Sequence, residues 1–108
     1  MLELIKQLRA ANPYGFTVTL PDLKPVTQGI SVAYEETQDS HSDEEIQRCI
    51  DHALTNGKII GGWFNAADGK FYYDSVRIFQ DLEAAKAWGR EQGQIAIYDI
   101  TNDDPINL

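Results

Sequence analysis

A helix with both ends written into the sequence sits at the middle of the chain, and it constrains everything around it. Ser42-Asp43-Glu44-Glu45 is a capping box, in which the serine hydroxyl and the glutamate carboxylate satisfy the free amides of a helix start reciprocally. Ile46, Cys49, Ile50, Ala53 and Leu54 follow at i, i+3, i+4, i+7 and i+8, which makes one apolar stripe. Asn56-Gly57 then supplies a left-handed stop. Such a stripe has to be covered, and the flanking segments carry the period of two that builds a sheet to cover it.

Ahead of the helix, Phe16, Val18 and Leu20 alternate with Thr17 and Thr19, and Ile30, Val32 and Tyr34 repeat the pattern. The proline-punctuated stretch from Pro21 to Gly29 has a length suited to a loose hairpin, so residues 16–20 and 30–34 are predicted to pair with each other. After the helix, Lys58 to Phe64 and Lys70 to Phe79 flank Asn65-Ala66-Ala67-Asp68-Gly69, whose Asp-Gly favours positive φ in a tight turn, and a second hairpin is predicted. Asp81 or a near neighbour caps a helix carrying Leu82, Ala84, Ala85 and Trp88; Gly93 ends it before a strand from Ile95 to Ile100. At the start, Met1, Leu4, Ile5, Leu8 and Ala11 recur at helical spacing until Asn12 and Pro13 stop the run. Residues 101–108, with Asp103, Asp104 and Pro105, read as a frayed tail.

The predicted class is α+β, a mainly antiparallel sheet with helices packed on one face. Without its first helix and first strand, the order is β-α-β-β-α-β, the ferredoxin-like split arrangement. A length of 108 residues suits a single domain over 1–108, long enough for a packed core without staples.

Charge narrows the function classes. Seventeen acidic against nine basic residues give a formal net charge of −8, with no basic run to release counterions from a nucleic-acid backbone, so direct nucleic-acid binding is not expected. The acidity serves solubility, or offers an acidic surface to a basic partner. No stretch is apolar enough for a membrane span, and Glu3 and Lys6 interrupt the first apolar run in a way a signal peptide does not, so a cytoplasmic setting is expected. Cys49, the sole cysteine, rules out an internal disulfide.

Reactive groups form no recognisable grouping. His41, His52 and Cys49 are candidate metal ligands, but Cys49 lies in the apolar stripe and His52 at its edge, so no metal site or cofactor is expected. Ser75 lacks the glycine frame of a nucleophile elbow, and no catalytic residue is assigned. Gly61-Gly62 leads into Trp63 and Phe64 on a strand, so these glycines permit a bulge or a close approach more readily than they cradle phosphate. The densest feature is the second hairpin, where Trp63, Phe64, Phe71, Tyr72 and Tyr73 cannot all share one face. Trp63, Tyr72, Tyr73, Asp74 and Arg77 are the candidate partner- or ligand-binding residues, aromatic cross-strand pairing being the competing explanation.

Gly61-Gly62-Trp63, Gly69-Lys70-Phe71-Tyr72-Tyr73-Asp74, Glu83-Ala84-Ala85 and Gly93-Gln94-Ile95-Ala96-Ile97-Tyr98-Asp99 together resemble a segment of uncharacterised small bacterial proteins, often carried by phages or mobile elements. The resemblance covers about residues 58–101 and implies an accessory protein, with no catalytic residues to carry over. Two functions stay open. One is a non-enzymatic interaction module with a protein partner; the other is a small-molecule binder or enzyme with a site lined by Trp63, Tyr73, Asp74 and Arg77. Homodimerisation through the open sheet face or an edge strand is a further option.

Overall fold

The computed structural model describes all residues from Met1 to Leu108. In chain order the elements are α1 (Leu2–Ala11), β1 (Gly15–Thr19), β2 (Ile30–Ala33), α2 (Asp43–Leu54), β3 (Ile59–Asn65), β4 (Lys70–Phe79), α3 (Leu82–Glu91), β5 (Ala96–Asp99) and β6 (Asp104–Asn107), with a single 3-10 turn at Glu35–Thr37. The strands form one six-stranded sheet in the order β1-β3-β4-β2-β5-β6, and every neighbouring pair is antiparallel.

The encoded caps form. Ser42 Oγ accepts the Glu45 amide at 3.2 Å while the Glu45 carboxylate accepts the amides of Ser42 at 2.9 Å and His41 at 3.0 Å. At α3 the Asp81 carboxylate accepts the Ala84 amide at 2.8 Å. Inside the β3–β4 turn Gly69 takes φ +72°, the left-handed conformation its Asp-Gly sequence anticipates.

All three helices cover the same face of the sheet. Odd-numbered residues of β4 point to it: Phe71 and Tyr73 join a core with Ile5 of α1, Ile46, Cys49, Ile50 and Ala53 of α2, Val18 of β1 and Ile60 of β3. Arg77 and Phe79 meet Trp88 of α3. A second, smaller core gathers Ile30, Val32, Ala85 and Ile97 under α3. Between the two, Tyr34 sets its ring edge-on to both His52 of α2 and Trp88 of α3, with centroids 4.6 Å and 4.8 Å apart, and this aromatic seam joins the halves. Helix α1 docks by a narrower stripe than its spacing suggests. Ile5 is fully buried and contributes roughly 2–3 kcal/mol by leaving water, Leu2 and Leu8 flank it, and Leu4 stays exposed.

Two expectations are overturned. The segments around β1 and β2 do not pair. Instead the loop between them turns back on β1, with Thr19 N donating to Lys24 O and Val26 N to Thr17 O, both at 2.9 Å, so the outer edge of β1 is occupied by its own loop. The inner edge of β1 pairs with β3, and β2 inserts between β4 and β5. Residues 104–107 are likewise not a frayed tail: they form β6 against β5, and Ile106 and Leu108 pack on the smaller core.

Residues 35–40 close a gap. Strand β2 is too short to cover more than the second half of β4, and buried amides left bare along the first half would cost stability. Ser40 O accepts the Tyr73 amide and Thr37 Oγ1 accepts the Ser75 amide, both at 3.0 Å. The three fully buried hydroxyls all have partners: Thr37 Oγ1 takes this Ser75 amide, Ser40 Oγ donates to the Thr37 carbonyl at 2.7 Å, and Ser75 Oγ meets His52 Nδ1 at 2.8 Å.

Candidate functional site

The β3–β4 hairpin sends its aromatics to both faces, and its register says which go where. Residues opposite each other across an antiparallel pair share a face. Phe64 pairs with Phe71 and Gly62 with Tyr73 on the helix side, while Trp63 pairs with Tyr72 and Gly61 with Asp74 on the open side. Gly62 is required where it stands: a Cβ there would lie 2.6 Å from Cε1 of Phe71 and 2.7 Å from Cε2 of Phe16, whose rings close over it. This is the close approach that the paired glycines anticipate.

On the open side Trp63 and Tyr72 stack with centroids 5.0 Å apart and planes inclined by 19°. Trp63 remains 46% exposed, so the stack is a surface and not a core contact. His41 sets its ring edge-on to Tyr72 at 4.4 Å, and its Nδ1 donates to the Phe71 carbonyl at 2.9 Å, which fixes the ring orientation. The Tyr72 hydroxyl donates to the Asp68 carboxylate. That bond holds the Asp68 pKa below the ordinary carboxylate range and raises that of the Tyr72 phenol. Two more exposed aromatics, Tyr14 and Phe64, stand at the same end, where Phe64 N donates to Tyr14 O at 3.1 Å.

Asp74 lies one step along the same face. Across the sheet its row runs Thr17, Gly61, Asp74, so no side chain stands between Thr17 and the carboxylate in that row. Burial, reinforced by the charge of Asp39, pushes the Asp74 pKa up to about 7.

The five candidate residues therefore divide. Trp63, Tyr72 and Asp74 share the open face. Tyr73 is 1% exposed within the larger core, and Arg77 lies on the helix side with its guanidinium 4.4 Å above the Phe79 ring and 5.2 Å from that of Trp88. Trp63, Tyr73, Asp74 and Arg77 do not converge on one concavity.

The three candidate metal ligands go to three different partners. His41 is held by the Phe71 carbonyl, His52 by Ser75, and the Cys49 Sγ lies 3.5 Å from the Tyr73 carbonyl with its thiol pKa raised by burial. A constellation with no signal in the sequence appears instead: Ser75 Oγ lies 2.8 Å from His52 Nδ1, and His52 Nε2 lies 3.2 Å from a Glu36 carboxylate oxygen. The residue types are those of a hydrolytic triad, but Ser75 is fully buried, so an acyl group has no approach to its hydroxyl. The relay ties α2 to β4.

No family model, curated protein or solved structure matches this chain. What the open face can bind is read from its own chemistry: the half-exposed indole of Trp63, stacked on Tyr72, presents a negative π face, and a carboxylate whose pKa is pushed up to about 7 lies beside the pair without a hydrogen-bond donor. That combination accepts a cation or a hydrogen-bond donor carried on an apolar stem.

Proposed function

We propose that the chain is a non-enzymatic interaction module that engages a basic protein segment on the open face of its sheet. The observation that carries this reading is the exposed Trp63–Tyr72 stack beside Asp74, on the face opposite all three helices. A lysine or arginine laid over those rings gains about 0.5–2 kcal/mol, according to how far it is desolvated. The net charge of −8 steers such a partner in from a distance and repels polyanions.

Supporting the accessory role is the resemblance of residues 58–101 to segments of mobile-element proteins. A ferredoxin-like frame is part of the same proposal. It is supported by α2 linking β2 to β3 with β4 inserted between them, and by α3 linking β4 to β5 with β2 between, leaving β1 and β6 as outer additions. No helix is long and apolar enough to cross a membrane, and a cytoplasmic setting belongs to the proposal.

The test is a titration of isotopically labelled protein with a lysine- and arginine-rich peptide, followed by amide chemical shifts. Saturable shifts centred on residues 61–63 and 72–74, weakened about tenfold by Trp63→Ala or Tyr72→Ala with the spectrum otherwise folded, are the expected result. Shifts spread evenly over every acidic stretch, or unchanged affinity in both variants, would overturn the assignment.

A further inference from the structure

We propose that a groove between α1, the start of α2 and the β3–β4 hairpin binds a small phosphate monoester. This site meets the open face at one residue, His41, whose ring also packs on Tyr72. It consists of two adjoining depressions of about 360 and 320 Å³ that share Arg9 and His41. The first is lined by Lys6, Asp43 and Tyr73 as well, and the second by Lys70.

The charge there opposes that of the whole molecule. Three of the nine basic residues stand on this one groove, against a single lining carboxylate, although acids outnumber bases almost two to one in the chain. The lining carries two net positive charges, with Glu3 acting on Lys6 and Asp68 on Lys70 from just outside it, and a dianion is the charge class that matches that lining. Two of the three cations carry no ion pair. Arg9 rests its guanidinium 4.8 Å above the Phe71 ring and, like Lys70, has no carboxylate within ion-pair distance. Stacking on Phe71 orients the fork while leaving its N–H edges for a bidentate bond. Lys6 is held by Asp43 at 3.1 Å, an exposed pair of the kind a stronger anion displaces at little cost.

The remaining donors suit a tetrahedral oxyanion. The Tyr73 ring is buried but lines the groove; burial raises the pKa of its phenol, and the charge of Arg9, a hydrogen bond with Arg9 and the charge of Lys6 work against that rise. His41 donates Nδ1–H to the Phe71 carbonyl, so Nε2 of the neutral ring is an acceptor and adds no donor for the anion. A guanidinium fork, two ammonium groups and a phenol supply more donors than a planar carboxylate uses, while a phosphoryl group offers three strong acceptor oxygens.

The experiment is an amide-shift titration of the full chain with phenyl phosphate at constant ionic strength, beside phenyl sulfate, benzoate and chloride. The expected result is saturation with a dissociation constant on the order of 1 mM, shifts at residues 6–10, 41–43 and 70–73, and binding about fivefold weaker for the monoanions. Arg9→Gln and Lys70→Gln should each weaken phenyl phosphate about fivefold, and Asp43→Asn should tighten it by removing the competing carboxylate. Lys70 is exposed on the hairpin, so its variant keeps the test decisive if Arg9→Gln loosens α1. Non-saturating shifts, equal responses to benzoate and phenyl phosphate, or undiminished affinity in Lys70→Gln would overturn the proposal.

Discussion

His52 Nδ1 lies 2.8 Å from the hydroxyl of Ser75, and through that contact the last turns of α2 are tied to the central strand of the sheet. The bond is worth more than a surface one because Ser75 is fully buried and the His52 side chain is 11% exposed, so water cannot replace a lost partner. Ser75→Ala should therefore cost about 1–3 kcal/mol in urea denaturation. Glu36→Gln, at the outer end of the relay where the carboxylate is 75% exposed, should leave the midpoint unchanged.

The two adjacent glycines of β3 should respond in opposite ways to alanine. At Gly62 the new methyl meets the Phe16 and Phe71 rings at 2.6–2.7 Å, and displacing them should cost about 1–3 kcal/mol. At Gly61 the nearest atom is Cγ1 of Val76 at 3.4 Å, an ordinary contact, so Gly61→Ala should be neutral or stabilising by about 0.5 kcal/mol through the entropy of the unfolded chain. Chemical denaturation of the two variants side by side checks the contrast.

Two carboxylates should shape the pH profile with opposite signs. The Asp74 pKa rises from 3.8 to about 7 on folding, so below pH ~4 both states hold the proton and its effect on stability is absent. Between pH ~4 and ~7 the unfolded chain releases that proton while the folded one keeps it, and stability falls as pH rises; above ~7 the loss is complete. Asp74→Asn should abolish this decline and be about 1–4 kcal/mol more stable than wild type at pH 8. Glu45 runs the other way. Backbone bonds from Ser42 and His41 hold its pKa down at about 2, so its contribution is present above the ordinary value of 4.5 and disappears as pH falls towards 2. Glu45→Gln should flatten the acid limb and leave the neutral one intact, read from melting temperatures between pH 2 and 8.

Capping of α2 should be separable from its packing. Ser42→Ala removes the acceptor of the Glu45 amide and should lower stability by about 1 kcal/mol, whereas Ser42→Asp, which restores an acceptor at the same position, should recover most of it. Thermal melts followed by helical ellipticity give the comparison.

How far the sequence carried the fold can be seen element by element. The capping box, the Asp-Gly turn and the Asp81 cap are short-range devices whose partners lie within four residues, so reading them needed no tertiary information. The division of the hairpin aromatics between two faces followed from alternation alone. Proximity in sequence failed for β1 and β2, because loop-closure entropy rises only by about 0.6 kcal/mol per doubling of length and cannot by itself enforce pairing between neighbours. The stretch 35–41 has no apolar period to mark its role, because hydroxyls look alike whether they face water or a buried amide. Ile106 and Leu108 were too few to register as a strand pattern.

What the sequence determined by itself was which residues form helices and strands and which side of each strand is apolar, since those depend on local backbone geometry and periods of 3.6 and 2. Tertiary structure alone decided which edges met: β1 on β3, β2 between β4 and β5, and residues 35–40 along the first half of β4. It also decided that Trp63 stacks on Tyr72 beside Asp74, and that cations at positions 6, 9 and 70 line one groove. The reason is physical: periodicity assigns each side chain a face, but the neighbours on that face come from strand partnership. Partnership is settled by competition among all free edges for buried hydrogen bonds.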